Sequence, residues 1–181
     1  MDWTALTNDI ASAARQSFSD LLAQHGGETF YAFALYTDED CYTVVPAANS
    51  LEPYRAKLAG LRNAGPQELA YYRWASAEWA YEDYASAPFH PICNRLGAAC
   101  AAVSGNEAAF AAFKAHVHQA MTKALKLLDA EGFFGGHRQG AVLFITSSDF
   151  DESRAMEDCS ARLLNPPEIC ETFLSRHKDI G

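Results

Sequence analysis

The sequence predicts an α+β fold, a single domain in which an antiparallel sheet of about four strands packs against several helices. Apolar residues recur at intervals of three and four over long segments, which is typical of amphipathic helices. Two short aromatic and aliphatic segments, 28–36 and 41–46, stand on either side of a polar turn and indicate a hairpin. Since 181 residues with 49% hydrophobic content suffice for one core, and no linker or repeat interrupts them, we expect residues 1–181 to form one domain.

The first half of the chain is predicted to contain two helices and three strands. In chain order they are a helix over 4–24, strands over 28–36 and 41–46, a helix from Asn49 or Ser50 to about Arg62, and a strand over 69–74. The glycines after His25 end the first helix. The segment 74–84 is compatible with a short helix or a loop.

The second half is predicted to contain four helices and one strand. They are helices over 92–103 and 105–131, a buried strand over 141–146, a helix to about Leu164, and a last helix that starts at 165–168. Ser104 and Glu107 have the spacing of a capping box for the longest helix. Asp149 and Glu152 are interpreted in the same way for the helix that follows the strand.

The net charge of −9 is unevenly distributed along the chain. Residues 1–52 hold eight acids and one base, whereas 53–148 hold seven acids and nine bases, and 149–181 hold eight acids and four bases. Because a phosphate-binding surface needs clustered Lys and Arg, nucleic-acid binding is disfavoured. The field of the acidic ends would attract a basic protein partner, although net charge that merely maintains solubility explains the same composition.

The five cysteines are scattered and no secretion signal precedes them, so we interpret them as reduced thiols of a soluble, cytoplasmic protein. No apolar segment approaches the ~20 residues of a membrane span, and we expect no membrane association.

No motif in the sequence indicates a catalytic or metal site. His116 and His118 stand two residues apart within a predicted helix and therefore point in nearly opposite directions. The cysteines lack catalytic surroundings, and no nucleophile-elbow motif occurs. We predict no catalytic residue, no metal ligand and no cofactor, and an enzyme is the less favoured class.

The segment 71–82 is rich in aromatic and acidic residues, and two interpretations of it stay open. Trp74, Trp79 and Tyr81 are expected in the core, but the same residues beside Glu78 and Glu82 are also typical of a binding surface. If the segment is helical, the two glutamates share one face at a spacing of four. Paired carboxylates could serve acid–base chemistry if they converge in a cleft, while two exposed glutamates on a solvated face are more common.

Five segments resemble a bacterial family catalogued as domain of unknown function 4303. They are FYAFALYTDED at 30–40, TVVPAANS at 43–50, YRWASAEWAYE at 72–82, LDAEGFFG at 128–135 and RLLNPPE at 162–168. The resemblance implies a small soluble single-domain protein without assigned catalytic residues. It also implies that some members lie near polymorphic-toxin loci, where small acidic proteins serve as immunity factors.

We therefore expect a protein-binding module, most concretely an immunity protein that binds and neutralises a basic toxin. The candidate contacts are the acidic turn and the aromatic segment, with the residues Asp38, Glu39, Asp40, Trp74, Glu78, Trp79, Tyr81 and Glu82. The alternatives are an enzyme that uses Glu78 and Glu82, with His90, on a small polar substrate, and an interaction protein unrelated to toxins.

Overall fold

The computed structural model describes residues 1–148 and 150–176, without the side chains of 150–152. These residues form an α+β fold, as predicted. The helices are α1 (Trp3–Gln24), α2 (Leu51–Ala59), α3 (Pro66–Trp74), α4 (His90–Val103), α5 (Glu107–Ala130), α6 (Phe150–Leu164) and α7 (Pro167–Leu174). The strands are β1 (Phe30–Thr37), β2 (Val44–Ser50), β3 (Tyr81–Glu82) and β4 (Val142–Ser147).

The four strands form one sheet in the order β3-β2-β1-β4. The predicted hairpin is present, with β1 antiparallel to β2 and Leu35 opposite Pro46. The short strand β3 pairs antiparallel with β2, whereas β4 runs parallel to β1, with Leu35 opposite Ile145. The sheet is therefore mixed, because the chain reaches β4 by a long helical connection rather than by a tight turn.

Both faces of the central strand β1 are buried under helices. Phe33 packs edge-on against Phe18 of α1, with ring centroids 5.3 Å apart, in the core formed with α4 and α5. On the opposite face, Ala32 joins a second core with Phe144, and Phe144 contacts Phe173 of α7 at 4.7 Å. The alternation of side chains along a strand thus builds three layers, with the sheet in the middle.

The third strand was predicted in the wrong place. The segment 69–74 belongs to the helix α3, which begins at Pro66, and strand β3 lies further along at Tyr81–Glu82. Proline is favoured at the first position of a helix because its fixed φ suits it and its missing N–H needs no partner. The strand propensity of the aromatic residues was overridden by this start signal and by packing.

Two smaller predictions, for the start of β2 and for the cap of α5, also differ from the structure. Strand β2 begins at Val44 rather than at 41, because the turn before it is longer than predicted. Helix α5 is capped by Asn106, whose side chain accepts a hydrogen bond from the N–H of Ala109, while Ser104 ends α4. The cap predicted from Asp149 and Glu152 lies outside the described residues.

Side chains from α6 and from Asn165, which directly follows it, cover the free edge of strand β4. The Asn165 amide accepts a hydrogen bond from the N–H of Leu143 at 2.8 Å and donates one to its carbonyl at 2.7 Å. The Ser160 hydroxyl accepts a third bond from the N–H of Ile145 at 3.0 Å. Because the edge groups are already bonded, β4 is a poor template for another strand.

Candidate functional site

The turn between β1 and β2, residues 38–43, is here called the hairpin tip. One oxygen of the Asp38 carboxylate accepts hydrogen bonds from the N–H groups of Asp40 and Tyr42, at 3.1 and 3.0 Å. The other accepts from the N–H and the hydroxyl of Thr43, at 2.6 and 2.5 Å. Asp38 was predicted as a contact residue, but its carboxylate is used to hold the shape of the turn.

The outer surface of the hairpin tip is acidic and carries one aromatic ring. Glu39 and Asp40 are exposed, and neither carboxylate has a partner in the described part of the chain, while Tyr42 is 41% exposed. The N–H of Glu39 donates to the Ser148 hydroxyl at 2.9 Å, which ties the turn to the end of β4. The hairpin tip therefore presents two carboxylates without a described partner and a phenol on a turn whose backbone is held by hydrogen bonds.

A buried thiol lies beneath the hairpin tip. The sulfur of Cys41 is 3.4 Å from Nε2 of His118, and burial raises the pKa of this thiol to about 12. A thiol with such a pKa stays protonated near neutral pH and is a poor nucleophile, in spite of its histidine neighbour. His116, two residues away, stacks on Trp3 instead, so the two imidazoles point apart as predicted. No cluster able to hold a metal ion occurs among the residues described.

The aromatic residues of the second candidate segment lie in the core. Trp79 and Tyr81 are only 5% and 8% exposed. Nε1 of Trp79 donates to the carbonyl of Arg73 at 3.0 Å, and Trp74, which is half-buried, packs edge-on against Phe173. The structure therefore supports the interpretation that Trp79 and Tyr81 belong to the core. Their buried rings are not available as surface contacts.

Glu78 and Glu82 do not share a helix face. Glu78 ends a 3₁₀ turn, Ser76–Glu78, and Glu82 lies in strand β3. The Lys57 ammonium bonded to Glu78 lowers the pKa of that carboxyl, and the Tyr71 hydroxyl, which donates to it at 3.1 Å, acts in the same direction. Burial, and then the charges of Asp83 and Glu78, raise the pKa of Glu82. The two pKa values are therefore shifted in opposite directions.

A polar cluster that sequence reasoning missed lies at the other end of the sheet. The Glu28 carboxylate accepts hydrogen bonds from the Tyr81 hydroxyl at 2.8 Å and from the Ser50 hydroxyl, and its nearer oxygen is 3.3 Å from Nδ1 of His25. Burial raises the pKa of the Tyr81 phenol, and the hydrogen bond to Glu28 adds to the effect. The spacing His25-x-x-Glu28 was a visible signal, but Tyr81 is 53 residues further on.

This cluster has the character of a structural joint. One carboxylate serves three neighbours, so it has little capacity left to act as a base on a substrate. The bonds connect the end of α1 with strands β2 and β3. They reinforce the contact between β2 and β3, which pair through two residues each.

The described residues include no helix with the length and apolarity needed to cross a membrane. A family model described as Domain of unknown function (DUF4303) matches residues 10–166. No curated protein and no solved structure matches the chain.

Proposed function

The chain belongs to the DUF4303 family, and from the geometry of its hairpin tip we propose that it is a protein-binding module for a basic partner. The observation that carries the proposal is the pair Glu39 and Asp40, both exposed and without a partner among the described residues. They lie beside the exposed ring of Tyr42 on a turn that Asp38 holds in place. A rigid turn loses little conformational freedom on binding, which favours affinity.

The charge distribution supports a basic partner. Residues 1–52 hold eight acids and one base, so the tip lies within the most acidic part of the chain. Such a field speeds the encounter with a positively charged surface, and the Tyr42 ring supplies the aromatic contact that is common at the centre of interfaces.

The specific form of the proposal is an immunity protein that binds and neutralises a bacterial toxin in the cytoplasm of the producing cell. An inhibitor of this kind needs fast association, which the acidic charges favour, and it needs no catalytic group of its own. The protonated, buried Cys41 thiol is consistent with the second requirement. An interaction protein unrelated to toxins would use the same surface.

The test is affinity capture from the native host at low salt, followed by association kinetics with the captured protein. The double variant Glu39→Lys/Asp40→Lys should slow association by at least about tenfold at low salt, and the difference should shrink as salt is added. The matched control is Asp20→Lys/Glu68→Lys, which makes the same change in net charge at two other exposed positions.

The outcomes separate the alternatives. Equal effects of the two double variants would show that only net charge matters and that the hairpin tip is not the contact. A captured basic protein that arrests growth when expressed alone supports the immunity role, and one that does not supports an interaction protein of another kind.

A second candidate function, acid–base catalysis on a small polar substrate, is favoured by the opposite pKa shifts of Glu78 and Glu82. Two observations oppose it. The Glu78 carboxylate is already in an ion pair with Lys57, and the candidate partner His90 is exposed at the start of α4. A metabolite mixture incubated with the protein and analysed by mass spectrometry tests it. Turnover that is lost in Glu82→Gln would support catalysis, and unchanged metabolites would contradict it.

A further inference from the structure

A groove of about 490 Å³ lies on the outer surface of the molecule between α1 and α5. The two helices run side by side in the same direction, since Trp3 at the start of α1 stacks on His116, and Arg15, further along α1, pairs with Glu131, which follows the end of α5. The lining of the groove extends along α5 from His116 to Ala130, a distance of about 20 Å at the rise of an α-helix.

The groove is basic, although the protein as a whole is acidic. Lys123 and Lys126 are exposed along it, they make no ion pair with any described residue, and no aspartate or glutamate belongs to its lining. Residues 108–128 of the chain hold three lysines and no acid.

Four acidic residues adjoin the groove lining in sequence, and three of them are paired with arginines. The fourth, Asp2, caps the start of α1, where its carboxylate accepts hydrogen bonds from the N–H groups of Thr4 and Ala5. Asp9 bonds to Arg95 at 2.6 Å, and Glu131 bonds to Arg15. Asp129 bonds to Arg138 at 2.6 Å. Because the other three carboxylates are bonded to arginines, they are not available to Lys123 and Lys126, whose ammonium groups are left to interact with a ligand.

The floor and one wall of the groove are apolar. Leu127 is 40% exposed within it, and Ala120 is buried at its base. The Trp3 ring forms the wall, held flat by His116 with a centroid distance of 4.7 Å and an angle of 9° between the rings. An exposed leucine beside two lysines that have no ion pair with a described residue is a combination that suits a ligand with an apolar body and an anionic end.

We propose that this groove binds a small amphipathic organic carboxylate. The carboxylate lies between the ammonium groups of Lys123 and Lys126, and the apolar body lies along Leu127, Ala120 and the Trp3 ring. The volume falls within the range of small-molecule sites, about 300–1,000 Å³. Charge complementarity selects the anion, since a cationic ligand with the same body would meet two like charges.

This site is separate from the hairpin tip. The tip contacts α5 through His118, and the groove is lined by His116, which points to the other side of the same helix. A ligand in the groove therefore leaves Glu39 and Asp40 accessible, and the two proposals can fail independently.

The experiment is calorimetric titration of the full chain with dodecanoate below its micelle concentration. We expect one saturable site per chain. The double variant Lys123→Glu/Lys126→Glu should weaken binding by at least about tenfold, since it removes two ion pairs and adds repulsion. Arg55→Glu/Arg62→Glu makes the same charge change at exposed positions outside the groove and should leave binding within about twofold.

Two further measurements test the apolar half and the ligand class. Leu127→Asp, at a position that is already 40% exposed, should weaken dodecanoate without loss of fold, which far-ultraviolet circular dichroism verifies. Dodecyltrimethylammonium, with the same chain and a positive head, should not bind. The proposal is overturned if dodecanoate shows no saturable binding, if the cation binds equally well, if the arginine control loses as much, or if the protein binds anionic lipid vesicles but not the free carboxylate.

Discussion

Replacing Asp38 with alanine separates the structural and the binding roles within the hairpin tip. The substitution removes four hydrogen bonds, of which three come from backbone N–H groups and one from the hydroxyl of Thr43. A typical hydrogen bond contributes about 0.5–1.5 kcal/mol net. Because the turn is exposed and water can replace the lost acceptor, the lower end of that range applies, and four bonds amount to about 2 kcal/mol.

The free energy of unfolding, measured by urea denaturation and linear extrapolation, gives the readout. Asp38→Ala should lower it by about 2 kcal/mol, and Asp38→Asn, which keeps one acceptor oxygen, should lower it by roughly half as much. Glu39→Lys and Asp40→Lys should each change it by less than about 0.5 kcal/mol, because these carboxylates are exposed and unpaired in the described structure.

Two results would refute this reasoning. If Asp38→Ala is as stable as the parent, the turn does not depend on the carboxylate and the tip is not preorganised. If Glu39→Lys or Asp40→Lys destabilises the protein as much as Asp38→Ala does, their charges are used within the fold and not reserved for a partner.

Three further predictions follow from the edge strand, a raised carboxyl pKa and the thiols. Asn165→Ala should lower the free energy of unfolding by about 3 kcal/mol in urea denaturation, because it leaves the buried N–H and carbonyl of Leu143 without partners. Glu82→Gln should gain stability relative to the parent as the pH rises from about 4 to 7, since a carboxyl with a raised folded pKa loses its stabilising contribution as it ionises. Among the five thiols, exposed Cys159 should react with a thiol reagent much faster than Cys41, whose pKa is raised to about 12.

A specific result would contradict each of these three predictions. A loss below about 1 kcal/mol for Asn165→Ala would mean that water satisfies the edge of β4. The gain for Glu82→Gln should stay below about 1 kcal/mol, because solvent screens a partly exposed group, and a stability difference that is the same at pH 4 and pH 7 would contradict the raised pKa of Glu82. Rapid labelling of all the cysteines in the native protein would contradict the burial of Cys41.

The long helices could be predicted because their period is visible within each segment. In α1 the residues Leu6, Ile10 and Phe18 recur at helical spacing, and all three are buried. In α5 the same is true of Phe113 and Val117, four residues apart. A face of this width must pack against something, so the pattern determines both the helix and its orientation.

The segment 66–82 could not be predicted in the same way, because its structure is decided by distant residues. Trp79 fits beneath the sheet only because its neighbours Ala32, Ala34 and Ala47 are small, and these lie more than thirty residues earlier. Trp74 is held by Phe173, almost a hundred residues later. No local pattern carries that information, and local propensity predicted a strand where packing and Pro66 determine a helix.

The roles of individual charged residues in the candidate site could not be predicted from the sequence either. The acidic turn was correctly placed between two paired strands, but its three carboxylates are not equivalent. The Asp38 carboxylate accepts hydrogen bonds from N–H groups of its own turn, just as the Glu28 carboxylate accepts them from Tyr81 and Ser50. Of the three acids in the turn, Glu39 and Asp40 are the two whose carboxylates are exposed and unpaired in the described structure. The groove shows the same distinction among basic residues, since Arg15 and Arg95 of the chain are bonded to carboxylates, whereas Lys123 and Lys126 make no ion pair with a described residue. A charged residue becomes a candidate for binding when the fold leaves it without an internal partner, and this depends on contacts between segments that are distant in the sequence.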